Sequence, residues 1–279
     1  MQMKFFSIIV VALNPGEKLR ETLDSIKMQE FRDYEIIIKD GGSKDGALEA
    51  LEKEGYFDEF PNATIVRKKD SSIYDGMNQA ITHANGKYVQ FLNCGDCFYD
   101  EKVLSSVADF IADTEKKRAA GVAGISAIYY GNQYNRIQGS MITSVPQIND
   151  FTCYRNVPCH QVCFYDAQLF EERAFNPEYT VRADYEHFLY SIYEKKAEAF
   201  AMPYIICFYE GGGYSETKEN RKKSALQHRE ITKKYLGKKV YWYRLVMFLS
   251  MARVRTVIAE NPVLSKPYNA LKTMIYKSK

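Results

Sequence analysis

Long apolar runs are missing from this sequence: no stretch approaches the roughly 20 uninterrupted apolar residues that span a bilayer, so no transmembrane helix is expected. Internal repeats, low-complexity segments and Ser/Pro/Gly-rich linkers are missing too, which leaves one soft boundary, near Gly237. Met1 to Phe6 is too short, and too soon followed by a strand-like run, to be a secretory leader, so the chain is expected to remain in the cytoplasm. Cysteines number six, at 94, 97, 153, 159, 163 and 207, scattered through apolar text rather than spaced as a secreted framework; free buried thiols are the expectation. Neither GxxxxGK[ST] nor GxGxxG occurs. A P-loop and a dinucleotide fingerprint are therefore unsupported, and any nucleotide must be held by carboxylates and a metal.

Charge of one sign is scarce overall, with a net value of +3, but it is unevenly spread. From Gly237 to Lys279 nine basic residues face one acid, Glu260, a balance of +8 that leaves −5 on the first 236 residues. The basic character belongs to the tail, which suits a local anionic partner and not a nucleic-acid-binding body.

What is present is a chain of 279 residues, 46% apolar and 26% charged, large enough for one main domain. FFSIIVVAL (5–13) is a β-branched run stopped by Asn14-Pro15-Gly16 and reads as a strand buried on both faces. Leu19, Leu23 and Ile26 then repeat at helical spacing. Strands at Tyr34 to Lys39, Thr64 to Arg67 and Tyr88 to Leu92 alternate with helices at Ala47 to Glu54 and Tyr74 to Ala84. Past about residue 120 the alternation weakens: strand-like ISAIYY (125–130), QVCFYD (161–166) and AFAMPYIICFYE (199–210) are separated by helical text at 183–194 and 217–235. The pattern predicts an α/β fold with a mostly parallel central sheet and helices on both faces.

Ligands of such sheets bind beyond the carboxyl ends of the strands. The residues there are Asn14, then DGGSKDG (40–46), KKDSSIYDG (68–76) and NCGD (93–96), all polar, acidic or glycine-rich. Asp40 and Asp45 lie on a loop whose glycines allow close backbone approach, although Ser43 or Asp45 could equally cap the next helix. Asp96, at a strand end beside Gly95, suits a hard cation such as Mg²⁺ or Mn²⁺ held by few protein oxygens and by substrate phosphates. Cys94 and Cys97 would need a second pair to close a zinc site, and Cys159 with Cys163 is the one candidate.

In order and spacing, SIIVVALN, KDGGSKDG, DSSIYDGMNQAI and GKYVQFLNCGD resemble the nucleotide-sugar half of glycosyltransferase family 2, the GT-A fold. VPCHQVCFY, RADYEHFLY and GGGYS resemble the acceptor half of members that build bacterial surface polysaccharides. The resemblance implies a domain over 1–236, with a nucleotide-sugar half (1–120) and an acceptor half (121–236), followed by a basic amphipathic tail (237–279). It implies that Asp40 contacts the nucleobase, that Asp70 lines the donor pocket with Asn78 nearby, and that Asn14, Gly41, Asn93 and Gly95 complete the loops around the donor. Asp96 matches the aspartate that meets the metal, Mn²⁺ or Mg²⁺, while Asn93 and Gly95 stand in two usually acidic places. Asp184 occupies the place of the catalytic base; read without the resemblance it is an acid at a helix start, where it also serves as a cap. His160 and Gln161 fall at the floor of the sugar or acceptor pocket, and Ser215 follows a glycine run that is either a plain turn or a loop closing over the diphosphate. Arg221, His228 and Arg229 are solvated helix charges or phosphate contacts.

The implied activity is inverting transfer of a sugar from a nucleoside diphosphate, a UDP-sugar, to a hydroxyl of a glycan or lipid-linked acceptor. A nucleotide-sugar nucleotidyltransferase would share an acidic α/β site but needs a basic glycine-rich loop after the first strand, which Asn14-Pro15-Gly16-Glu17 does not resemble. A non-catalytic sugar-nucleotide-binding subunit would have no use for Asp40, Asp96 and Asp184 together. The tail segment YWYRLVMFLSMARVR (241–255) fits either a helix packed on the domain or one lying on an anionic membrane surface.

Overall fold

The first apolar run forms β1 (Lys4–Ala12), and the alternation then proceeds through α1 (Lys18–Lys27), β2 (Tyr34–Asp40), α2 (Ala47–Lys53), β3 (Ala63–Arg67), α3 (Ile73–Ile81) and β4 (Gly86–Phe91). The computed structural model describes residues 3–60, 62–118, 125–211, 217–250, and 258, 261, 264–268, 270 and 271. Ile8, Ile9, Val10, Ile36, Ile37 and Ile38 are at most 1% exposed, so both faces of β1 and β2 are covered. Each such side chain contributes about 1.5–3 kcal/mol on burial. On α1, Leu19, Leu23 and Ile26, the three residues of its helical period, are buried. Ser72 caps α3 by accepting the Asp75 main-chain N–H, and the helix then buries Tyr74, Met77 and Ala80.

Beyond β4 come β5 (Cys97–Phe98), α4 (Val103–Arg118), β6 (Ala127–Asn135), β7 (Ser140–Ile142), α5 (Asp150–Arg155), β8 (Cys163–Asp166), α6 (Ala183–Tyr193), β9 (Glu198–Tyr209), α7 (Lys218–Leu236) and α8 (Lys239–Leu249). The sheet runs β3-β2-β1-β4-β8-β6-β9-β5, with β7 paired to β6. The first four strands are parallel, as the βαβ pattern predicts. After them β8 is antiparallel to β4 and to β6, β7 is antiparallel to β6 and β5 to β9, while β6 and β9 are parallel. The sheet is therefore mixed, because the later strands are not each delivered by a crossover helix. Register places Ala12 opposite Asp40 and Ile9 opposite Phe91, which aligns the carboxyl ends of β1, β2 and β4 at one edge.

The chain divides into two compact units, Met1–Ile231 and Thr232–Lys279. The first holds the sheet. Within the second, α8 exposes Tyr241, Trp242, Leu245, Phe248 and Leu249. Among the described residues, no helix is long and apolar enough to cross a membrane.

Candidate active site

The loops at the carboxyl edge are tied to one another by their own short side chains. Asn14, in the left-handed region at φ 49°, accepts the Lys44 N–H on Oδ1 at 2.8 Å, and its own N–H donates to Ser43 Oγ at 2.8 Å. Asp45 accepts the N–H of Gly16 at 2.8 Å and is thereby used in holding the loop. Asp40, 7% exposed, accepts the Ser43 N–H at 3.0 Å. A cleft of about 310 Å³ opens beside these loops, lined among others by Ala12, Asn14, Lys18, Ile73, Asn93 and Cys94.

Asp70 is seated by Lys39, a lysine with a fully buried side chain. The Lys39 ammonium donates to the carbonyls of Asp40 and Lys68, at 2.9 and 2.5 Å, and to Asp70 Oδ2 at 2.8 Å. All three of its N–H groups are thus used, the condition under which a buried ammonium is tolerated. Two glycines make room for the carboxylate: a Cβ on Gly41 would lie 2.7 Å, and one on Gly76 3.0 Å, from Asp70 Oδ2.

Asp96 stands on a loop clamped by Thr22, whose hydroxyl accepts from Gly95 N and donates to Asp96 O, both at 2.9 Å. Its carboxylate is 4% exposed and accepts the Glu210 N–H on Oδ1 at 2.9 Å and the Gln161 amide on Oδ2 at 3.0 Å. Burial raises its pKa above the ordinary value, against the lowering effect of those two bonds. The Cys94 thiol beside it is pushed up to about 12 by burial, and Cys97 is raised for the same reason; neither is a reactive thiolate. All six cysteines are free, and among the described residues no group of three His, Cys, Asp or Glu side chains converges as a cage.

A chain of side chains joins this loop to Asp184. Asn93 Nδ2 lies 3.1 Å from His160 Nε2, and His160 Nδ1 lies 3.0 Å from Asp184 Oδ2. An amide N–H donated to Nε2 leaves the ring proton on Nδ1, directed at the carboxylate. Tyr74 donates its hydroxyl to Asp184 Oδ1 at 2.8 Å. The N-cap of α6 is Arg182, so Asp184 does not cap that helix but stands in its first turn, where the macrodipole favours an anion. Burial pushes its pKa up, yet His160, Tyr74 and the Tyr185 main-chain N–H outweigh burial, and the carboxyl lies below its ordinary range. Its side chain keeps 24% exposure and can be reached from outside.

The remaining expected residues are distributed differently. Asn78 uses both ends of its amide on the main chain of Phe175, at 2.8 and 2.9 Å, and so ties α3 to that segment rather than facing the cleft. Gln161 is buried and reaches Asp96. Ser215 lies outside the described residues. Arg221 and Arg229 are exposed, and His228 stacks on Tyr185 at 5.2 Å between ring centroids. Lys39, Tyr74, Lys18 and Glu210 escape sequence reasoning. Lys39 and Glu210 do close strand-like runs, so the rule about carboxyl ends could have found them.

Residues 7–172 match the family model described as Glycosyl transferase family 2. A PGL/p-HBAD biosynthesis glycosyltransferase of Mycobacterium bovis is 31% identical over 223 residues, which cover 78% of this chain and 81% of that one. Among solved structures, S. aureus TarS 1-349 in complex with UDP-GlcNAc aligns with a TM-score of 0.64 at 17% identity, over 88% of this chain and 75% of that one. The mannosyltransferase PcManGT from Pyrobaculum calidifontis, in complex with GDP-Man and Mn2+, aligns at 0.62 and 15% identity, over 98% and 84%. The fold is that of the GT-A glycosyltransferases. Within that class, the chain belongs to glycosyl transferase family 2, and sugar transfer is its kind of activity.

Proposed function

We propose that this glycosyltransferase is metal-dependent and inverting, and moves a sugar from a UDP-sugar to a hydroxyl of a glycan or lipid-linked acceptor in surface polysaccharide assembly. The observation that carries the reading is Asp184, held by His160 and Tyr74 with its pKa depressed, and joined through Asn93 to the Asp96 loop. Asp184 takes the proton of the acceptor hydroxyl as that oxygen attacks the anomeric carbon. The bond to the diphosphate oxygen breaks on the opposite face, and its electron pair leaves with the phosphate; one displacement inverts the centre. His160 and Tyr74 keep the base oriented and ionised. Asp40 and Asp70 bind the donor, with Asn14, Gly41 and Gly95 shaping the loops around it, and His160 and Gln161 bound the sugar or acceptor pocket. UDP-GlcNAc in the TarS structure supports a UDP-sugar as donor.

Asp96 would hold a divalent cation, Mn²⁺ or Mg²⁺. The oxygens at this edge fit a hard ion: besides the carboxylate, Asn93 Oδ1 is buried with no hydrogen-bond partner. When bound, such a cation neutralises charge developing on the leaving diphosphate. The Mn2+ in the PcManGT structure supports this choice. The C-terminal unit is read as a surface for anionic membrane, on the strength of the exposed apolar residues of α8 beside Lys238, Lys239 and Arg244. This residence would keep the protein at the cytoplasmic face, close to a lipid-linked acceptor.

Incubation with UDP-sugars, Mn²⁺ and acceptor tests the reading. UDP should be released, whereas pyrophosphate would favour a nucleotidyltransferase. Asp184→Asn should lower transfer by about 10²- to 10⁴-fold with UDP affinity unchanged; an equally active variant sinks the assignment of the base.

A further inference from the structure

We propose that Glu210 supplies the second carboxylate of the divalent-cation site, in place of an acid at position 95. The inference rests on the reading of Asp96 as the cation-holding residue. Gly95 stands where the resemblance implies an acid, and the structure brings one into the same space from the end of β9, whose Phe208 pairs with Cys97 of β5. A Cβ built on Gly95 would lie 2.5 Å from Glu210 Oε2. Gly95 has φ +101°, a conformation that disfavours any side chain, so the loop itself cannot readily provide the missing carboxylate. Glu210 follows β9 directly, and its main-chain N–H donates to Asp96 Oδ1 at 2.9 Å. One hydrogen bond thus fixes the two acidic residues side by side.

A cation already sits on the new carboxylate. Lys18 Nζ is 2.7 Å from Glu210 Oε1, and both side chains are open, at 54% and 38% exposure. An ion pair so exposed contributes little and is readily exchanged. Two carboxylates match a dication in charge, and together with phosphate oxygens and water they form the usual donor set for Mg²⁺ or Mn²⁺. Lys18 also lines the cleft with Asn14 and Asn93. Once the dication takes Glu210, the released ammonium is free to meet the diphosphate in that cleft. The resting pair and the loaded site then use the same three groups with their charges re-matched.

The test is Mn²⁺ binding by the full chain, followed by electron paramagnetic resonance with and without UDP. Glu210→Gln keeps the shape and the main-chain N–H, and should weaken Mn²⁺ binding about tenfold or more. Lys18→Met removes the competing cation and should strengthen Mn²⁺ binding without UDP by roughly twofold to fivefold. Thermal melting of each variant checks that the fold is intact. If Asp96→Ala abolishes binding while Glu210→Gln leaves it at the wild-type level, the proposal is overturned and Asp96 stands alone. Weaker Mn²⁺ binding in Lys18→Met overturns it too, because Glu210 would then serve only to place the lysine. If Asp96→Ala itself binds Mn²⁺ as the wild type does, the underlying reading of Asp96 fails first.

Discussion

Asp184 is three-quarters covered by protein and yet held below its ordinary pKa. Burial alone would raise the value. His160 and Tyr74 reverse the sign. A depressed carboxyl stays ionised as pH falls until its own low pKa is reached, so the acid limb of kcat/KM should lie below the usual carboxylate range. Tyr74→Phe removes one donor to the charged form, so the Asp184 pKa should rise and the acid limb move to higher pH. The same sign holds for stability: what this group contributes is present above its unfolded-state pKa and lost as pH falls through the folded value, and Tyr74→Phe should shrink that contribution. A pH–rate profile of the variant checks this, and an unmoved acid limb counts against Tyr74 as a partner of the proposed base. Asp184 and His160 were legible in the sequence because they sit in short motifs. Tyr74 lies inside another such motif, but its partner is 110 positions away, and no local pattern announces a contact that the fold alone creates.

Among the elements, the parallel part of the sheet was readable because its central strands β1 and β2 are covered on both faces and run as β-branched text, with helical periods between the strands. The order beyond β4 was not, since antiparallel pairing of short strands is decided by what packs on them. α4 was passed over although Val103, Leu104, Val107 and Ile111 carry a helical period and are buried. β4 starts two residues before the sequence reading placed it, and its first residue shows why the boundary matters. Gly86 lies opposite Lys4 in the ladder, and its N–H donates to Ser7 Oγ at 2.8 Å. A Cβ there would meet Ser7 N at 2.5 Å and the carbonyl carbon of Phe6 at 2.7 Å, main-chain atoms that cannot swing aside. Gly86→Ala should therefore destabilise the domain by about 1–3 kcal/mol, through β1 and β4 being pushed apart at one end. Urea titration is the measurement, with a lower midpoint and an unchanged slope expected. A midpoint equal to wild type would mean that the strands give way at no cost.

At the scale of the whole molecule, the uneven charge was visible by counting, and the structure adds where the tail's apolar residues stand. On α8, Tyr241, Trp242, Leu245, Phe248 and Leu249 follow one another at spacings of one or three, so they share a stripe of the helix, and all are exposed. A stripe of this kind left in water is a liability unless something covers it. The lysines and arginines of the tail fix the sign of the proposed partner: anionic lipid attracts each basic residue by about 1 kcal/mol near the surface, while the aromatic rings enter the headgroup boundary. Trp242 is the chain's one tryptophan, so it reports on this surface without a label. With vesicles rich in phosphatidylglycerol its emission should shift to the blue, and the shift should weaken as salt screens the basic residues. Vesicles of phosphatidylcholine alone should give a much smaller change. Phe248→Ser should reduce binding to the anionic vesicles while UDP affinity stays unchanged. Emission that ignores anionic vesicles would remove the membrane from the account and leave the stripe to some other covering partner.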